Sequence, residues 1–346
     1  MVSDSTLQYN FSGKKVSCFF DVDFELIDTV VKKDNTIFIT DENVYALHRE
    51  KFSERSTIVI QSGEEHKNQQ AANEIIDQLI NLHADRKTFI VGVGGGVVTD
   101  ISGYVASVYM RGLRFGFVPT TILAMVDAAV GGKNGIDVGV YKNLVGVIRQ
   151  PEFLLYDYTF LDTLPDEGWV NGFAEIIKHA CIKDKSMFAF LEQNSLMKFQ
   201  SSAELTGLLI KQNVDLKFTV VLKDEHETGD RKLLNFGHTI GHAIENASRI
   251  SHGSAISIGM AAACKISGIL NGFKSGQSEK VIHLLKQYQL PVEFNADPGK
   301  TWEILQHDKK KAGNKMDFVL LNQIGDASVH SIEMEQLHEI FKEIAS

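Results

Sequence analysis

Thr88-Phe-Ile-Val-Gly-Val93-Gly94-Gly95-Gly96-Val97-Val98-Thr99-Asp100 is the stretch on which the fold turns. Its first six residues form a continuous apolar run, the pattern of a parallel strand buried on both faces. Three glycines close the run, and the spacing beyond predicts a helix from about Val98 to Met110. Strand, glycine turn and helix together imply an α/β fold. Glycines let backbone amides approach a phosphate closely, and a helix N-terminus adds partial positive charge. The turn therefore suits a nucleotide pyrophosphate. It is not a G-x-G-x-x-G, since Val97 stands where the last glycine belongs, so a plain tight turn fits the residues as well.

Working outward, Thr36–Thr40 and Thr57–Ile60 read as strands, Ala71–Leu82 as a helix and Phe115–Val118 as a further strand. Asp41 and Asn43 follow the first of these strands, where polar groups meet a ribose, and Glu64 and Lys67 follow the second. After about Leu161 long amphipathic patterns dominate: Trp169–Leu191, Ala203–Leu222, Leu234–Ala247, Ser254–Leu270 and Glu279–Tyr288. Phe318–Leu321 is a late strand or hairpin. The expectation is an α/β N-terminal domain with a parallel sheet over 1–160 and a mostly α-helical C-terminal domain over 161–346.

The 346 residues suffice for two domains, and 44% hydrophobic with 23% charged residues is a globular profile. Thirty-five basic against 44 acidic residues give a formal charge of −9, which argues against nucleic acid as a partner. Cys18, Cys181 and Cys264 form no C-x-x-C pair, and this implies a reducing, cytoplasmic setting. The start has neither a basic n-region nor an apolar h-region, so no secretory signal is expected. Phe89–Val98 and Ala255–Leu270 are too short or too interrupted to span a bilayer, so no membrane is expected.

His238 and His242 stand four residues apart, on one face if the segment is helical. That spacing suits a metal pair or an acid/base pair, and it also suits two surface histidines. His252 follows ten residues later, and Glu175 and Lys178 lie upstream. One Glu with two His makes a three-donor set with open positions, the pattern of a catalytic metal. Lys133 sits in the glycine-rich Asp127-Ala-Ala-Val-Gly-Gly-Lys133-Asn-Gly, and Lys142-Asn143 follows. Lys178, Lys217, Arg231 and Lys232 lie in the later half. Converging cations in an acidic chain suit a substrate bearing phosphate and carboxylate, although each alone reads as a solvated charge.

Together these segments resemble the 3-dehydroquinate synthases. The matching stretches are Ser62-Gly-Glu64-Glu-His-Lys67, Gly94–Asp100, Tyr109-Met-Arg111-Gly, Val118-Pro-Thr120-Thr121, Val126-Asp127 through Gly-Gly-Lys133, and Lys142-Asn143. Leu164-Pro165, Ala-Glu175-Ile-Ile-Lys178, Asp224-Glu225, Leu234-Asn235-Phe-Gly-His238, His242-Ala-Ile-Glu245, His252-Gly253 and Asp308-Lys309-Lys310 continue the series in family order. The resemblance implies an NAD-binding α/β domain, a helical domain and an active site in the cleft between them. The implied reaction converts 3-deoxy-arabino-heptulosonate 7-phosphate to 3-dehydroquinate and phosphate, in the shikimate route to aromatic amino acids. NAD takes a hydride from the C5 alcohol, phosphate leaves by β-elimination, hydride returns and an intramolecular aldol closes the carbocycle.

By the same resemblance Glu175, His238 and His252 hold a divalent metal, zinc or cobalt, and His242 handles the hydroxyl proton. Lys133, Asn143, Lys178, Lys217, Arg231 and Asn235 bind the substrate. Arg111 matches an arginine that reaches the phosphate from a neighbouring subunit, which implies a homodimer. Asp41, Asn43, Glu64, Lys67, Gly95, Gly96, Val97, Asp100, Thr120, Thr121, Asp127, Lys133, Lys142, Phe160 and Thr163 match NAD-contacting positions. Two positions depart from the family pattern. Thr99 replaces a glycine and crowds the turn, and Ser254 replaces the Glu of His-Gly-Glu, removing a carboxylate beside His252. The rival readings are another sugar-phosphate cyclase (2-deoxy-scyllo-inosose or valiolone type), a polyol dehydrogenase that releases NADH, and a non-enzymatic ligand binder.

Overall fold

The computed structural model describes residues 6–11, 13–139, 141–248, 250–306 and 311–345, so Asp308-Lys309-Lys310 lies outside the described residues. The chain forms two compact units, Met1–Gly168 with Ala203–His226, and Trp169–Ser202 with Glu227–Ser346. This corrects the single boundary near Phe160. The chain leaves the first unit after Gly168 and returns to it for one long helix. Helical periodicity marks an apolar face but does not say which core that face joins.

The first unit holds β1 (Thr6–Phe11), β2 (Lys14–Phe20), β3 (Thr36–Asp41), β4 (Ser56–Ile60), β5 (Phe89–Gly94), β6 (Arg114–Pro119), β7 (Lys133–Val138), β8 (Tyr141–Ile148) and β9 (Phe153–Tyr156). Seven of them form one sheet in the order β1-β2-β9-β6-β5-β3-β4. All neighbours are parallel except β1 on β2. Every residue of β5 is buried, which is why the Phe89–Val93 run carries no polar alternation. Helices α1 (Ile27–Val30), α2 (Glu42–Leu47), α3 (Gln69–Asn81) and α4 (Gly96–Val108) connect the strands. Phe24, Phe38, Val91, Val118, Phe153 and Phe160 belong to one core cluster. Antiparallel β7 and β8 form a separate hairpin. The pattern of the sequence missed β1, β2, β7, β8 and β9, whose runs are short or interrupted by lysine, asparagine and glycine.

The second unit and the returning helix comprise α5 (Asp166–Lys183), α6 (Lys185–Glu192), α7 (Leu196–Gln200), α8 (Ala203–Lys223), α9 (His238–Ser248), α10 (His252–Asn271), α11 (Ser275–Gln287), α12 (Pro298–Gln306) and α13 (Met334–Ala345). Asp184 splits the Trp169–Leu191 pattern in two, its carboxylate accepting from the Ser186 and Met187 amides at 2.9 Å. The returning helix α8 packs on β1, where the Tyr9 and Phe218 rings stack 4.2 Å apart and the Tyr9 hydroxyl donates to Asp215 at 2.9 Å. An antiparallel sheet of β10 (Lys311–Ala312), β11 (Lys315–Gln323) and β12 (Asp326–Glu333) completes the second unit, with Phe318–Leu321 inside the β11–β12 hairpin. Ile240, Ile244, Ile266, Leu320 and Leu337 lie in its core. By length and composition α10 is the one helix among the described residues that could cross a bilayer, but 72% of the relevant window is buried inside the fold, as in a core helix.

Candidate functional site

The second unit brings Glu175, His238 and His252 together, each offering a ligand atom within 4.8 Å of the others. Glu175 lies mid-way along α5 and is fully buried. His238 opens α9 immediately after Gly237, whose φ of +77° turns the chain into the helix. His252 opens α10. The α9–α10 crossing is close because Gly259 lies against the backbone of Gly237 and Gly241.

The Nε2 atoms of His238 and His252 lie 3.5 and 3.4 Å from Glu175 Oε1. His238 Nδ1 lies 3.1 Å from the Phe236 carbonyl, and His252 Nδ1 lies 3.4 Å from Glu245 Oε2. Those acceptors hold the protons on Nδ1 and leave each Nε2 lone pair facing the carboxylate. Three lone-pair donors crowded in a buried space repel one another unless a cation sits among them. Donors that hold a tetrahedral ion at about 2.1 Å stand about 3.4 Å apart, so the residues present fit a divalent metal. Without a metal the same carboxylates favour a proton on His252. Burial lowers the His252 pKa, but the Glu175 and Glu245 carboxylates outweigh it and raise the value to about 9. Glu245 thus supplies to His252 the carboxylate that Ser254 lacks, while Ser254 accepts from the Ser251 hydroxyl at 2.9 Å.

His242 lies one turn beyond His238, with ring centroids 5.1 Å apart, and also groups with Glu245 and His252. The Lys178 ammonium, 1% exposed, pairs with Glu175 Oε2 one turn along α5. Arg231 is equally buried in the 3-10 segment Asp230–Asn235, and the Asn235 amide donates to Glu227 Oε1 at 2.6 Å. Sequence reasoning missed Glu227 and the role of Glu245. Their signal was an acidic residue near a site histidine or amide, which is too common to single out.

In the first unit Gly95 caps α4 without a side-chain bond, and Gly95, Gly96 and Val97 remain half-exposed. A Cβ on Gly96 would lie 3.2 Å from that of Ala128, so the bare turn is closely backed. These are the features of a phosphate cradle. Thr99 is buried and donates its hydroxyl to Gly96 O at 3.1 Å, so the expected crowding is absorbed within the first helical turn. Thr120 N–H donates to Gly94 O at 3.0 Å, and Thr121 Oγ1 accepts from the Ala124 amide at 3.1 Å. Asp41 caps α2, accepting from Asn43 and Val44 N–H at 3.0 Å, and Asn43 is exposed.

Lys67, 4% exposed, donates to Asp100 Oδ2 at 2.5 Å and to Asn143 Oδ1 at 2.7 Å. Lys142 lies 3.4 Å from Glu64. Asp127, in the π-helical turn Ala124–Ala128, receives Lys217 on its carboxylate at 2.7 Å and on its carbonyl at 2.6 Å. The return of α8 to the first unit delivers that lysine. Lys133 is exposed at the start of β7, and Arg111 is exposed with φ +67° in the turn before β6. The Phe160 ring lies in the core, 4.7 Å from that of His48, and His48 Nε2 lies 2.8 Å from Thr163 Oγ1.

Residues 57–171 match the family model described as 3-dehydroquinate synthase N-terminal, and residues 172–311 match that described as 3-dehydroquinate synthase C-terminal. The 3-dehydroquinate synthase of Pyrococcus abyssi is 42% identical over 289 residues, covering 83% of this chain and 85% of that one. The chain belongs to the 3-dehydroquinate synthase family. Membership extends to the relative from Thermodesulfovibrio yellowstonii, 38% identical over 87% of this chain and 85% of its own. A crystal structure of 2-deoxy-scyllo-inosose synthase complexed with carbaglucose-6-phosphate, NAD+ and Co2+ aligns with a TM-score of 0.85. It covers 98% of this chain and 99% of its own at 26% identity, well below the identity to the synthases. The α/β unit and the helical unit are those of this family.

Proposed function

We propose that the chain is a 3-dehydroquinate synthase, a carbon–oxygen lyase converting 3-deoxy-D-arabino-heptulosonate 7-phosphate to 3-dehydroquinate and phosphate in the shikimate pathway. The observation that carries this reading is the Glu175–His238–His252 donor set, with Glu175 and His238 buried and His252 half-buried, backed by its own acceptors, in a chain of this family. When bound there, zinc or cobalt supplies a Lewis acid, and NAD on the glycine turn supplies a transient hydride acceptor.

The residues of the chain bind, orient and move protons. His242, one turn from His238, takes the proton of the C5 hydroxyl. Lys133, Asn143, Lys178, Lys217, Arg231 and Asn235 hold the carboxylate, hydroxyls and phosphate, and the leaving phosphate serves as its own base. Asp41, Asn43, Glu64, Lys67, Asp100, Thr120, Thr121, Asp127, Lys142, Phe160 and Thr163 surround the nucleotide.

The same reading includes a homodimer in which Arg111 reaches the partner's substrate. Exposed Met110, Tyr141, Leu144, Val145 and Ile148 support it, the last four on β8, which is bonded to β7 along one side and has an apolar exposed surface. Three buried thiols support the cytoplasm as its home.

The test measures phosphate release from this substrate with catalytic NAD and added zinc or cobalt, following NADH by absorbance. Metal- and NAD-dependent release without NADH accumulation, with dehydroquinate as product, is expected. Net NADH accumulation would indicate a dehydrogenase. No phosphate release would shift the reading to another cyclase or to a binding protein.

A further inference from the structure

The β7–β8 hairpin carries Lys133, Lys142 and Asn143, yet its ladder is interrupted. Pairing steps from Ile136↔Val145 to Val138↔Tyr141, so Lys142, Asn143 and Leu144 stand opposite Asp137 alone. Such a bulge aims side chains out of a ladder but leaves backbone groups to be satisfied elsewhere. Asn143 shows the consequence, with φ +50°, a left-handed conformation uncommon for a residue other than glycine.

Asp137 closes the bulge from both sides. Its carboxylate Oδ1 accepts the Asn143 N–H at 2.7 Å. Its own N–H leaves the hairpin and donates to the Lys67 carbonyl at 2.8 Å, beside a parallel bridge between Asn68 and Asp137. The side chains then meet, because Asn143 Oδ1 accepts from the Lys67 ammonium, which also pairs with Asp100. One aspartate therefore fixes the backbones of both members of the Asn143–Lys67 pair.

We propose that Asp137 is a positioning residue that holds the strained Asn143 in the bulge, and through it sets the Asn143–Lys67 pair toward sugar-phosphate substrate and nucleotide. The inference rests on the roles proposed above for those two residues. Asp137 acts through these two residues, its own bonds going to the Asn143 N–H and the Lys67 carbonyl. An ordinary hairpin aspartate would contribute to folding alone, so the test reads more than stability.

Asp137→Ala, Asp137→Ser and Asp137→Asn are compared with the full-length protein for steady-state kinetics, NAD binding by calorimetry and amide hydrogen exchange over residues 141–145. In Asp137→Ala and Asp137→Ser the acceptor is lost or falls short. Exchange of this peptide should quicken, and kcat/KM for the substrate should fall about tenfold or more, chiefly through KM. Asp137→Asn keeps an acceptor oxygen and should restore most of both. Asp137→Ala added to Asn143→Ala should cost little beyond Asn143→Ala alone.

Wild-type exchange and kinetics in both Asp137→Ala and Asp137→Ser, or fully additive losses in the double variant, would overturn the proposal. If Asp137→Ala does not fold, Asp137→Ser carries the comparison. If the wild-type chain releases no phosphate from the substrate, the synthase reading fails separately. The exchange and NAD-binding arms then judge Asp137, and unchanged exchange with unchanged NAD binding overturns its role.

Discussion

Replacing Glu175 by Gln removes the one anionic donor of the Glu175–His238–His252 set while keeping its volume. Two consequences separate. Without metal, Lys178 keeps an amide oxygen in place of its carboxylate partner, and the cost is about 2 kcal/mol, below the full penalty for breaking a buried pair. With metal, the loss is larger. One of three protein donors carries about a third of a binding free energy of about 12 kcal/mol, so affinity falls by about a thousandfold. At a zinc concentration about 100 times the wild-type Kd, the wild-type protein gains about 2.7 kcal/mol and the variant under about 0.1 kcal/mol. For a folding unit of this size that gain raises Tm by roughly 5–10 °C. Scanning calorimetry with zinc and with chelator, alongside bound-metal analysis, reads both numbers. A wild-type zinc shift of this size that vanishes in Glu175→Gln is expected. Retention of the shift with stoichiometric metal in the variant would refute the ligand assignment.

Lys133→Ala should leave folding unchanged, because Lys133 is exposed, while kcat/KM falls roughly 10- to 100-fold as a charged hydrogen bond is lost; an unchanged rate removes it from the site. Gly259→Ala would drive a Cβ into the Gly237 carbonyl and to 2.8 Å from the Gly241 amide nitrogen. It should cost about 1–3 kcal/mol in denaturant melts and lower metal content by displacing His238; a variant with wild-type stability and metal content would contradict that packing argument. Asp157 accepts from Lys51 at 2.8 Å, Thr159 N–H at 2.9 Å and Phe24 N–H at 3.1 Å. Burial pushes its carboxyl upward, but the Lys51 and Thr159 bonds outweigh it and hold the pKa below the usual range. Because the folded value is the lower one, its stabilisation is present above about pH 3.9, the unfolded value, and is lost as pH falls through the folded value. Asp157→Asn should therefore cost about 1–3 kcal/mol at pH 7, with the difference shrinking toward acid. A difference that does not change with pH would refute the linkage.

The strands of the parallel sheet were legible where burial on both faces demanded unbroken apolar runs, as in Thr36–Thr40 and Phe89–Val93. The β7–β8 hairpin was not, because a separate two-stranded ribbon with an exposed strand leaves no such run. His238 and His242 were legible as a helical pair. The sequence left open that helix α9 begins at His238, because Gly237 and the 3-10 turn before it share the apolar spacing of the helix. The Phe160 match to a nucleotide-contacting position gave no hint that its ring lies in the core.

Residue identity alone carried the chemistry proposed for this protein: one carboxylate and two imidazoles for a cation, a bare glycine turn for a phosphate, and lysines and an arginine for an anionic substrate. Those are properties of side chains and of local backbone freedom, and a linear string carries them. Tertiary structure decided which groups work together. It set Glu245 behind His252, Lys217 on Asp127 by returning α8 to the first unit, and Asp137 beneath Asn143. The Asp127–Lys217 and Asp137–Asn143 pairings join positions whose spacing carries no periodic signal, and Glu245 and His252, although seven apart, stand on two different helices. They exist because packing two separate cores fixes backbones closely enough for hydrogen bonds of about 3 Å to select their partners.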